Sequence, residues 1–78
     1  MKPSTKAALD RYAQDHLPTG NFLRGVLENN LLEAITRADE ENLRDLPEII
    51  KYVYNDLPSP CWGSKQAVQN WLERKEPQ

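Results

Sequence analysis

Apolar residues recur along most of this chain at the three- and four-residue steps of an α-helix, and proline, glycine or capping residues mark the breaks between runs. Leu9, Tyr12 and Ala13 share one face of a first helix, which Ser4 is placed to cap and which runs to about Asp15. The stretch "HLPTGN" ends it, because Leu17 precedes a proline and is biased out of the helical region. Thr19 or Asn21 can cap a second helix carrying Phe22, Leu23, Val26 and Leu27. Gly25 inside that helix costs ~1 kcal/mol relative to alanine, and such a glycine marks a close approach by another helix.

The triplet "ENN" interrupts the pattern. Asn30 followed by Glu33 has the side chains of a capping box, so a third short helix starts there with Leu31, Leu32, Ala34 and Ile35, unless the second helix runs through with a bend. Asp39 can cap the next one. Leu43, Leu46, Ile50, Val53 and Leu57 then form a heptad-like apolar seam. Pro47 sits within it. Either a new helix starts at Asp45, with Pro47 in its first turn and Glu48 closing a capping box, or one kinked helix runs through. The unbroken phase of the seam favours the single helix. Pro58 and Pro60 stop it, Gly63 permits a positive φ, and Ser64 caps a last helix with Val68, Trp71 and Leu72 inward. The tail "RKEPQ" is expected to fray. No run alternates apolar and polar residues for long. The reading is all-α: a small bundle of four to five short helices in one domain over 1–78, ordered over about 4–74.

A 78-residue chain is near the lower size at which one apolar core folds alone, so association with a copy of itself, a homo-oligomer, is expected. No apolar run approaches the ~20 residues that span a bilayer. The start "MKPSTKAALDRY" lacks the apolar stretch of a leader, and a single cysteine forms no internal disulfide. Together these favour a cytoplasmic protein without membrane contact. Net charge is −2. Acids gather over 28–56, and there is no basic stripe to hold a phosphate backbone, which argues against nucleic acid. The acidic middle either faces a basic partner or is a solvated helix face.

Candidate chemistry is sparse. His16 and Cys61 form a nucleophilic pair only if the fold brings them together. Metal-ligand spacings and glycine-rich phosphate loops are absent, and no cofactor is expected. "PTGNF" and "CWGSK" place small polar residues before helices, where free N–H groups attract anions and Lys65 adds charge, but ordinary capping explains both. In "TRADEEN", Arg37, Asp39 and Asn42 stand at a helix junction. They line a pocket closed by Tyr54, Asn55 and Trp62 with Gly63, Ser64 and Lys65 beside it, or they satisfy one another, Arg37 pairing with Asp39 or Glu33. Trp62 is expected to pack its inner edge on the last helix and to form a surface with Arg37 and Tyr54 by its outer face.

The segments "LPTGNFL", "VLENNLLEAITRADEEN" and "YVYNDLPSPCWGS", within residues 16–72, resemble small uncharacterised helical proteins encoded by phages and prophages. Pro47 departs from that pattern. The resemblance implies a small accessory or anti-defence factor made inside a bacterial host and acting by binding a host protein. The alternative is a binder that sequesters a nucleotide-like or phosphate-containing ligand near Arg37, Tyr54 and Trp62. Mimicry of nucleic acid fits a net charge of −2 poorly, and enzymatic chemistry has the least support.

Overall fold

The computed structural model describes residues 1–74. These form α1 (Pro3–Asp15), α2 (Asn21–Leu27), α3 (Leu31–Arg37), α4 (Glu40–Asp56) and α5 (Lys65–Glu73), with one 3-10 turn at Ser59–Cys61. The fold is a small all-α bundle, with no strand among the described residues. The tail from residue 75 onward lies outside them.

Three of the expected caps are in place. The Asn30 side chain accepts from the Glu33 N–H at 3.2 Å, Asp39 from Asn42 at 2.7 Å and Ser64 from Ala67 at 3.0 Å. The other two helix starts differ from expectation. Lys2 precedes α1, and Pro3 occupies its first position, where the missing N–H costs nothing; Ser4 lies inside the helix. Gly20 precedes α2, without a side-chain cap. The Thr19 hydroxyl turns instead to the Gly20 carbonyl, and Asn21 is already helical.

The second and third helices are separate. Asn29 takes a left-handed conformation (φ 60). Its N–H donates to Val26 O at 3.1 Å, and that of Asn30 to Gly25 O at 2.8 Å. This Schellman pattern satisfies the last carbonyls of α2 and turns the chain sharply. The turn brings α3 against Gly25, where an added Cβ would lie 2.8 Å from Ala34 N. The helical glycine is therefore a contact point.

The fourth helix is continuous, with Pro47 inside it. The N–H that Pro47 lacks leaves the Leu43 carbonyl without its helical donor, and both residues lie on an exposed face, open to solvent. Only the later part of the helix's apolar seam meets the core. Ile49 is fully buried and Val53 and Leu57 nearly so, whereas Leu43 and Ile50 are exposed and Leu46 is half-buried. The apolar stripe is wider than the contact, and α4 meets its neighbours along one edge of it.

The rest of the core comes from Leu9 and Tyr12 of α1, Phe22, Leu23 and Leu27 of α2, Ala34 of α3, Cys61 and Val68. The first and fourth helices run side by side in the same direction. Lys2 Nζ lies 3.5 Å from Asp39 and 3.6 Å from Glu41. Further along, the Tyr52 hydroxyl donates to Asp10, and Lys6 lies 3.2 Å from Asp10 and 5.3 Å above the Tyr52 ring. The hydrogen bond from Tyr52 holds the Asp10 carboxyl below its ordinary range, with Lys6 adding to the effect. The same bond, helped by burial, raises the Tyr52 phenol.

Two outcomes follow from this packing. Gly25→Ala adds a methyl where Ala34 backbone already stands, so overpacking of about 1–3 kcal/mol outweighs the ~1 kcal/mol gained in helix propensity; urea unfolding should show a net loss, while Gly20→Ala, with open space around it, changes little. The second concerns pH. A depressed carboxyl stabilises above the ordinary aspartate range near pH 4, and that contribution is lost as pH falls through the folded value. A raised phenol stabilises below about pH 10, and that contribution is lost as pH rises through its folded value. Tyr52→Phe should reduce both limbs of the stability–pH curve, leaving an acid limb from Asp39, which the Asn42 N–H depresses, and an alkaline limb from Cys61 and Tyr12, which burial raises. Unchanged limbs in Tyr52→Phe would contradict the Tyr52–Asp10 linkage.

Candidate binding surface

The "CWGS" loop is tied down at several points. Pro58 leads into the 3-10 turn, whose first bond runs from Cys61 N–H to Pro58 O at 3.0 Å. The buried Tyr12 hydroxyl donates to Cys61 O at 2.7 Å. Trp62 donates its indole N–H to Leu57 O at 3.2 Å. Gly63, at φ 112, donates its N–H to Leu27 O at 2.7 Å, a backbone conformation that only glycine adopts freely. The loop is thus a rigid corner bonded to α1, α2 and the end of α4.

That corner places Trp62 half-buried against the core, with its ring centroid 5.6 Å from that of Tyr54. Tyr54 is 71% exposed. The two rings stand at one end of a groove of about 200 Å³ between α4 and the α2–α3 corner. Gly25, Asn29 and Leu31 form one wall, Leu46, Ile50 and Val53 the other, and Gly63 lies beside Trp62. The lining is predominantly apolar and carries no charged side chain.

The residues expected to share a pocket are divided between two places. Tyr54, Trp62 and Gly63 belong to the apolar groove. Arg37 and Lys65 line a different, polar hollow of about 470 Å³ with Asn21, Arg24, Glu28 and Glu33. There Arg37 pairs with Glu33 at 3.1 Å and Arg24 with Glu28 at 2.8 Å. Asp39 and Asn42 are occupied in the cap of α4, Ser64 caps α5, and Asn55 is exposed on α4 outside both linings. The expected contact of Trp62 with Arg37 is therefore replaced by one with Tyr54 alone. Arg37 points along its own helix to an acid one turn back, a local pairing that outcompetes the longer reach.

Sequence reading missed Gly25, Asn29, Leu31, Leu46 and Ile50 as groove residues, having assigned the apolar ones to the core. The available signal was the surplus: α3 and α4 together carry more large apolar side chains than one buried face of each accommodates.

His16 and Cys61 are engaged separately. His16 closes α1 in a left-handed conformation (φ 58). Its ring stacks on Trp71 at 4.5 Å, and its Nδ1–H donates to Trp71 O at 2.7 Å. The Cys61 thiol is fully buried, and burial pushes its pKa up to about 11. Among the described residues no three histidine, cysteine, aspartate or glutamate side chains gather closely enough to hold a metal ion, and no helix is long and apolar enough to cross a membrane. Compared with known proteins, the chain matches no family model, no curated protein and no solved structure.

Cys61 should be inert in the folded state. Thiolate is the reactive form, and at neutral pH a buried thiol titrating near 11 supplies little of it. Alkylation followed by mass spectrometry should be slow in buffer, should accelerate sharply in denaturing urea, and should track the unfolding equilibrium between these limits. Rapid stoichiometric labelling of the folded protein would contradict this placement.

Proposed function

We propose that this chain is a non-enzymatic binding protein, a phage or prophage accessory or anti-defence factor that acts by gripping a host protein in the bacterial cytosol. The phage context rests on the sequence resemblance. The mode of action is supported by one observation, the exposed Tyr54 ring packed on a Trp62 that the loop holds in place. Aromatic rings on a rigid platform above an apolar floor are the usual make-up of a binding hot spot. Pre-organisation lowers the entropy lost on docking. The groove is smaller than the roughly 300–1,000 Å³ of small-molecule sites. Its size and apolar lining suit one or two apolar or aromatic side chains of a partner.

A second reading has its own support. Arg37 and Lys65, far apart in sequence, line one polar hollow together with Arg24. A phosphate-containing or nucleotide-like ligand would be recognised there by charge rather than near Tyr54 and Trp62. Lys65 has no ion-pair partner among the described residues, whereas both arginines do, so that site offers less unspent charge than its composition suggests.

The two readings separate by mutation. Tyr54→Ala should abolish capture of the host partner while shifting stability by no more than about 0.5 kcal/mol, as for an exposed side chain. Arg37→Ala should leave capture unchanged. Retained capture by Tyr54→Ala, or loss of a co-purifying phosphate compound in Arg37→Ala detected by native mass spectrometry, would reverse the order of preference.

A further inference from the structure

Six of the seven large apolar side chains left exposed lie on α3 and α4: Leu31, Leu32, Ile35, Leu43, Ile50 and Tyr54. Leaving out Tyr54, which ends the stripe, and taking ~200 Å² for a fully exposed large side chain, the other five, exposed by 40–80%, together present on the order of 500 Å² of apolar surface. That is the upper end of what a monomer leaves uncovered, about 300–600 Å². It approaches the roughly 800 Å² that each partner buries in a standard interface, and the stems of flanking charged residues supply the difference.

The charges along the free edge of α4 indicate what covers this face. Leu43 and Ile50 stand seven residues apart on the exposed stripe, and Glu40 and Lys51 lie on the same flank of it at its two ends. Both are exposed, and neither forms an ion pair with a described residue. Glu40 and Lys51 fall on either side of a midpoint near Leu46 and Pro47, with Arg44, also exposed and without an ion pair among the described residues, on the same flank between them. A two-fold contact about that midpoint sets the Glu40 of one copy against the Lys51 of the other, as a patch that must complement itself allows.

We propose that a second copy of this chain covers the face, with the two α4 helices antiparallel across a two-fold axis near Leu46 and Pro47. Leu43 then lies opposite Ile50 of the second copy. On the flank, Glu40 lies opposite Lys51 of the second copy, and the reciprocal pair repeats the contact. Pro47 falls at the centre, where its ring adds apolar surface. Tyr54 stays toward the outer ends, so a dimer carries its two aromatic groove ends apart and binds partners bivalently.

The test is sedimentation velocity on the full chain from low to high micromolar concentration, with helicity and melting temperature measured in parallel. The wild-type protein should be dimeric. Lys51→Glu and Glu40→Lys should each weaken the dimer by about tenfold or more, since each single reversal creates two like-charge contacts. The Glu40→Lys/Lys51→Glu double variant should regain wild-type association, because both pairs are restored with signs exchanged. Leu43→Asp should abolish association while melting normally. A monomeric wild-type protein throughout the range overturns the proposal. So does a double variant that fails to recover, or single reversals that dimerise like the wild type. Tyr54→Ala, which reports on host binding, should leave the dimer intact, so the two readings fail separately even though Ile50 lines both the groove and the proposed contact.

Discussion

Tyr12 holds together parts of the chain that have little means of holding themselves. Its side chain is buried, and its hydroxyl donates to the Cys61 carbonyl, while its own carbonyl accepts from the His16 N–H at 3.1 Å and the Trp71 indole at 2.9 Å. His16 returns a bond to the Trp71 carbonyl, so the end of α1 and the end of α5 clasp each other reciprocally. The fifth helix has nine residues, fewer than the ~12–15 at which an isolated helix becomes even marginally stable. It exists because the bundle holds it. A phenol buried this deeply needs a partner for its hydroxyl, and burial raises its pKa so that it stays a donor at any physiological pH. The carbonyl it chooses lies just before Trp62. The most buried polar contact in the core therefore also fixes the loop that carries the exposed aromatic surface.

A second constraint acts from the other side. Gly25 lets α3 approach until backbone meets backbone, and the Schellman turn at Asn29 and Asn30 sets the direction of that approach. Leu27, the last residue of α2, gives its carbonyl to Gly63. The same short stretch thus closes one helix, launches the next and receives the "CWGS" corner. The groove wall formed by Gly25, Asn29 and Leu31 is a by-product of that economy: the residues that make the turn are the residues that line the cleft. A cleft whose walls are backbone-determined keeps its shape when empty, which is the property a pre-organised docking surface requires.

The parts legible in the sequence are those decided by neighbours one turn away. Asn30, Asp39 and Ser64 cap as expected because a short side-chain oxygen and an N–H three residues on need nothing else. Gly25 was legible because glycine in a helix has few other uses. Ser4, Thr19 and Asn21 have the same local chemistry and do not cap, because Pro3 and Gly20 begin their helices by another route. The seam of α4 was legible as an apolar stripe but not as a burial pattern. Periodicity gives the width of a stripe, and which edge of it meets the core depends on where α1, α2 and α5 sit. The grouping of Arg37 with Tyr54 and Trp62 failed for the same reason. It required a tertiary distance, and the local pair of Arg37 with Glu33 was the contact actually within the reach of sequence reasoning.

The surplus of apolar surface is the feature that folding alone does not account for. Single exposed leucines are ordinary on any protein surface. Here they are concentrated on two consecutive helices, while the exposed face of α5 shows none. Helix stability does not demand them, since α3 and α4 are both capped by side chains and anchored by Ala34, Ile49 and Val53. Polar residues at Leu32 or Leu43 would leave those anchors untouched. A 78-residue chain has little core to spare and buries a smaller share of its surface than a larger domain does. Placing large apolar side chains outside that core weakens solubility without strengthening the fold. Their place is intelligible if the surface is completed by another molecule, with the mixed charges of the α4 flank setting which molecule fits and in which register.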